Sequence, residues 1–164
     1  MTDLEQFRND SGARAADNKK FLRSLKGTDD SKLDGVFQEA HEEVFAKTDC
    51  LQCANCCKTT SPIFYNVDIE RLSKALRLRP SDVIDRYLRV DEDGDYVLKT
   101  SPCPFLGADN YCSVYDSRPR ACREYPHTDR RKISQLLDLT YRNTLVCPAV
   151  LQIVERVKTS LNRQ

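Results

Sequence analysis

Residues 50–57 read CLQCANCC, which places Cys50, Cys53, Cys56 and Cys57 within one short run. Thiols this close form disulfides, hold a metal, do redox chemistry or pack as small apolar side chains. Cys56 and Cys57 make a poor disulfide pair, because side chains on adjacent residues diverge. Wound on a helix of about 3.6 residues per turn, the four fall within roughly a third of the circumference. In a loop, the two-residue gaps instead let the chain turn around an ion. Either path converges the sulfurs.

The compartment narrows the choice. The chain begins MTDLEQFRND, without a basic start followed by an apolar stretch, so a secretory signal is not expected. No apolar run approaches the roughly 18 residues that span a bilayer. The expectation is a cytoplasmic protein with no membrane association, where eight cysteines are not a disulfide framework. A length of 164 residues suits one domain with a core of its own. A net charge of +1 gives no reason to expect nucleic acid.

Periodicity outlines the fold. Residues 1–30 are polar, with scattered apolar positions, and read as an N-terminal arm or a loosely docked helix. Gly27 to Asp30 break it, and Ser31 is placed to cap the next helix. There Leu33, Val36, Phe37, Ala40 and Val44 recur at helical steps and lead into the cysteines. Ile63–Tyr65 suits a short strand. Asp68 and Ser81 are placed to cap two helices separated by Arg79-Pro80. Asp91–Asp95 is a turn before a strand at Tyr96–Leu98, and Asn110–Tyr115 alternates as a second strand would. Ser117–Thr128 reads as loop and 131–142 as a helix. Pro148 fits the first turn of the last helix. The expected class is α+β: a mostly helical single domain over 31–164 with a small β-hairpin, organised around a cysteine-rich metal site.

The second half adds Cys103, Cys112, Cys122 and Cys147. Cys103 and Cys147 each precede proline, as cluster ligands often do. Cys147 also opens a helix, whose positive end favours a thiolate. Arg118, Arg120 and Arg123 flank Cys122. Four thiolates on Zn²⁺ or on an oxidised four-iron cluster leave about −2 of charge, which such guanidiniums would offset. The same arginines also suit a solvated basic loop, and Arg130, Arg131 and Lys132 read as a solvated helix start rather than a contact for an acidic partner.

A zinc ribbon uses two separated C-x-x-C knuckles, and only the first half offers one. Cys50, Cys53 and Cys56 with a remote Cys-Pro are similar to bacterial ferredoxin ligation, which favours a 4Fe-4S iron–sulfur cluster with Cys103 or Cys147 as fourth ligand. Zinc is the rival metal, because sulfur-rich sites accept both. His127 is a candidate ligand, donor to a ligand or general base, and His41 a surface or core histidine. Tyr111, Tyr115 and Tyr125 read as packing residues. Asp116 is placed to brace the arginine loop.

The run at Cys50–Cys57, then PCPFL (102–106), CSVYDSRPRACREYPH (112–127) and CP (147–148), resembles the CxxCxxCC cysteine-cluster family over roughly 48–148. That family is described as chelating zinc or iron. The resemblance implies a metal set of Cys50, Cys53, Cys56, Cys57, Cys103, Cys112, Cys122 and Cys147. Flagellin lysine N-methylases share the pattern and carry an iron–sulfur cluster, which makes an S-adenosylmethionine-dependent protein lysine methyltransferase the enzymatic alternative. No G-x-G is present for a Rossmann-type nucleotide loop. A thiol-based redox sensor is a further alternative, and a protein partner or protein substrate would suit a small module of this kind.

Overall fold

The computed structural model describes residues 3–163. In chain order its helices are α1 (Leu4–Ser24), α2 (Asp30–Phe45), α3 (Cys50–Cys53), α4 (Asn55–Thr59), α5 (Asn66–Leu76), α6 (Pro80–Tyr87), α7 (Arg120–Glu124), α8 (Leu137–Thr144) and α9 (Pro148–Asn162). Strands β1 (Leu88–Val90) and β2 (Tyr96–Leu98) follow α6. The class is mostly helical α+β with a two-stranded hairpin, as the periodicity indicates. The chain's contacts divide into two compact units, Met1–Cys53 with Pro126–Gln164, and Ala54–Tyr125.

In the first unit α2 packs against α9, and α1 against α8 and α9. Asp29, rather than Ser31, caps α2 by accepting the Lys32 N–H at 2.9 Å. The stripe Leu33, Phe37, Ala40 and Val44 is buried, facing Val150, Ile153, Val154 and Val157 of α9. Each fully buried aliphatic or aromatic side chain contributes about 1.5–3 kcal/mol before chain entropy is charged against it. Pro148 opens α9 at its first turn, where the missing N–H is harmless.

Helix α1 buries Phe7, Ser11, Asn18 and Leu22. Two of those four positions are polar, which is why its apolar period looked weak in the sequence. Lys158 of α9 reaches both Asp17 and Asn18 and compensates part of that polar burial. Residues 131–142 are not one helix: Lys132 is left-handed at φ 57°, a 3-10 turn covers Ile133–Leu136, and α8 follows. The turn is held by Asp34 of α2, which accepts the N–H groups of Lys132 and Ile133 at 2.8 and 2.9 Å.

In the second unit Ile69 and Leu72 of α5, Val83 of α6, Leu88, Leu98, Phe64, Phe105 and Val114 form the core. Helix α5 begins two residues before Asp68, and the Asp68 carboxylate caps it by accepting the Tyr65 N–H at 3.0 Å. Pro80, not Ser81, starts α6. The hairpin pairs Leu88 with Leu98 and Val90 with Tyr96 across an Asp91–Asp95 turn, where Gly94 takes φ 84°. Its partner strand is therefore Leu88–Val90 and not Asn110–Tyr115, where only Cys112 bridges, to Leu106. Of Ile63–Tyr65, only Phe64 makes a bridge, to Tyr96. Among the described residues no helix is long and apolar enough to cross a membrane.

Candidate metal centre

The cysteine run is neither one helix nor a loop. It is two short helices, α3 and α4, broken at Ala54, which takes the left-handed φ of 47°. Asp49 starts α3 by accepting the Leu51 N–H at 2.9 Å. Cys50 and Cys53 belong to the first unit, and Cys56 and Cys57 to the second. All eight cysteines are thiols; Cys50 is exposed and the others are half-buried.

In the first unit, Cys147 is the residue before α9, and its N–H donates to the Asn143 carbonyl at 2.8 Å. The sequence suggested an easily ionised thiol there. Burial instead pushes the Cys147 thiol up, against the opposing effect of the Val150 and Ala149 N–H groups, and the charges of Cys50 and Cys53 add to the rise. The helix end does favour the thiolate, but desolvation outweighs it. Cys50, Cys53 and Cys147 thus act on one another.

In the second unit, backbone bonds draw four other cysteines together. The Cys103 N–H donates to the Cys57 carbonyl at 2.9 Å, and the Ser101 hydroxyl to the Lys58 carbonyl at 2.8 Å. The Ser113 N–H donates to Phe105 and the Gly107 N–H to Tyr111, both at 2.8 Å, which folds Cys112 back beside the segment that follows Cys103. Cys103 and Cys112 pack against the same core. Cys122 lies on α7, inside what read as a loop.

Their electrostatics agree with this grouping. Burial pushes the Cys122 thiol up to about 12, and the charges of Cys57, Cys103 and Cys112 raise it further, with Arg118 opposing. Burial likewise raises Cys103, helped by Cys57 and Cys112. Cys57 moves the other way, down to about 7: the Cys56 S–H donates to it, and Arg118 and Lys58 favour its thiolate against the cost of burial.

Asp68 organises the arginine loop, a role the sequence assigned to Asp116. Its carboxylate is buried and accepts from the Arg71 guanidinium and from the Arg120 N–H at 3.0 Å. Arg71 also donates to the Arg118 carbonyl at 3.0 Å. Arg118 donates to the Tyr115 carbonyl and Arg120 to Glu124, so neither turns to Asp116. The only signal for Asp68 in the sequence was its helix-cap position. Tyr111 and Tyr115 are exposed rather than packed in the core, their rings 5.9 Å apart, with the Arg118 guanidinium 3.5 Å above Tyr115.

His41 bonds Thr128 at 2.8 Å through Nδ1 and stacks on Phe45 at 4.5 Å. His127 is a left-handed residue at φ 67°. Among the described residues, no three Cys, His, Asp or Glu side chains stand in the arrangement of a finished metal cage. Rotation about χ1 is the remaining freedom of a cysteine whose backbone is already placed. The donor chemistry fits: an all-sulfur set is what zinc and iron–sulfur centres use.

The model of the CxxCxxCC family, described as "Putative zinc- or iron-chelating domain", matches residues 49–147. The chain belongs to the CxxCxxCC family. All eight cysteines of this CxxCxxCC protein lie inside the matched span, while α1, α2 and α9 lie outside it. No curated protein and no solved structure matches the chain.

Proposed function

We propose that this CxxCxxCC protein is a cytoplasmic iron–sulfur protein, with zinc as the rival metal for the same thiolates. The observation that carries the reading is the confinement of chemically suited donors to two local groups, Cys50 with Cys53 and Cys147, and Cys57 with Cys103, Cys112 and Cys122. The first group contains the Cys147-Pro148 pair beside Cys50-x-x-Cys53, the frame in which cluster ligands recur. Arg118 supplies positive charge near the second group. A metal bound in either group would link segments far apart in sequence and add its binding energy to folding. When bound, an iron–sulfur cluster would supply one-electron chemistry, and zinc a structural link. The residues of the chain hold thiolates, offset their charge and keep the surroundings partly dry. Protein purified without oxygen should show broad visible absorption, with iron and acid-labile sulfide in equal amounts. A colourless protein with stoichiometric zinc would replace the cluster with zinc.

A further inference from the structure

We propose that residues 54–125 carry a complete metal site of their own, with Cys57, Cys103, Cys112 and Cys122 as its four ligands. The inference rests on the reading that the chain chelates metal through its cysteines, and goes further by dividing the ligands.

Three observations support it. First, the contacts of the chain put all four residues in one compact unit and put Cys50, Cys53 and Cys147 in the other. Second, the backbone of that unit holds the four segments in place without help from a metal. Cys103 is bonded to Cys57, Cys112 is bridged to Leu106, and α7 with Cys122 is anchored through the Arg120 N–H on Asp68. Third, Cys103 and Cys112 pack against one and the same hydrophobic core of that unit. Four thiolates complete the coordination of a zinc-type divalent ion and leave no open position. Such a site is structural and carries about −2 of charge, which Arg118 and Lys58 partly offset.

The test uses the reduced full-length chain and cobalt(II), whose thiolate complexes absorb strongly. The variant with Cys50→Ser, Cys53→Ser and Cys147→Ser should retain one cobalt per chain with an all-sulfur spectrum. Cys112→Ser and Cys122→Ser should each lose that cobalt. Because a multiple variant can fail to fold, the wild-type chain is also loaded with zinc, and the zinc is withdrawn stepwise with a chelator. Alkylation mapped by mass spectrometry should show Cys57, Cys103, Cys112 and Cys122 losing protection in a single step. Loss of protection by any of these four in the same step as Cys50, Cys53 or Cys147 would overturn the division, as would unchanged cobalt in Cys112→Ser and Cys122→Ser. A wild-type chain that takes up neither metal would overturn the chelation reading itself.

Discussion

The buried carboxylate of Asp68 accepts the backbone N–H of Arg120 at 3.0 Å, across 52 residues of sequence. One side chain thereby caps α5, pairs with Arg71 and fixes the loop that presents Arg118 and Cys122. Replacing Asp68 with Ala leaves two backbone N–H groups and a guanidinium without their acceptor. Hydrogen bonds to a buried charge are the expensive kind to break, so Asp68→Ala should cost about 3 kcal/mol. Urea unfolding of the metal-free protein measures this directly. A loss under about 0.5 kcal/mol, the usual surface effect, would show that the loop does not depend on Asp68.

Arg118 acts on charge more than on packing. Its guanidinium favours the thiolate of Cys57 and opposes the upward push on Cys122 while lying over Tyr115. Arg118→Gln should weaken metal uptake by the second unit, and the difference from wild type should shrink as salt screens the charge. Competition with a chromophoric chelator at low and high ionic strength reads both effects. Equal affinities at low salt would remove Arg118 from the site's electrostatics.

Metal loading should release protons. Burial raises both Cys103 and Cys122, the latter to about 12, so both are protonated near neutral pH and must ionise to become ligands. Protons therefore compete with metal, and affinity rises with pH. Two released protons correspond to about a hundredfold change in affinity per pH unit. Chelator competition between pH 6 and 8 tests the slope; affinity independent of pH in that window would contradict thiol ligation.

Arg77 ends α5 in the left-handed region at φ 55° and is exposed. A residue with a Cβ pays about 1–2 kcal/mol there and glycine does not. Arg77→Gly should therefore stabilise the protein by about 1 kcal/mol, visible as a higher melting temperature. A lower melting temperature would mean that the Arg77 side chain makes a larger contribution than its exposure suggests.

Those parts of the fold that follow from local periodicity were legible in the sequence. The apolar steps of α2 and α9 are the buried faces observed, and the acidic turn at 91–95 does join two strands. Leu88 was harder to read, because Tyr87 and Leu88 continue the spacing of α6 although the helix ends at Tyr87. Asn110–Tyr115 alternates like a strand, yet the N–H groups of Asn110 and Tyr115 go to turn carbonyls at Gly107 and Cys112, so no ladder forms. All eight cysteines stood out in the sequence. Their division did not, because it depends on a left-handed break at Ala54 and on backbone bonds such as Cys103 to Cys57, which link distant segments. Asp68 looked like a cap and nothing more, since its contact with Arg120 is long-range.

The most direct measurement is the mass of the intact protein under non-denaturing conditions, after purification with oxygen excluded. The polypeptide alone is 18.8 kDa. Metal-binding cysteines predict a species heavier by zinc, iron or an iron–sulfur cluster, which collapses to the polypeptide mass on acidification. A folded, helical protein found only at the bare polypeptide mass, and unchanged by added zinc or iron, would contradict a metal-chelating role for these cysteines.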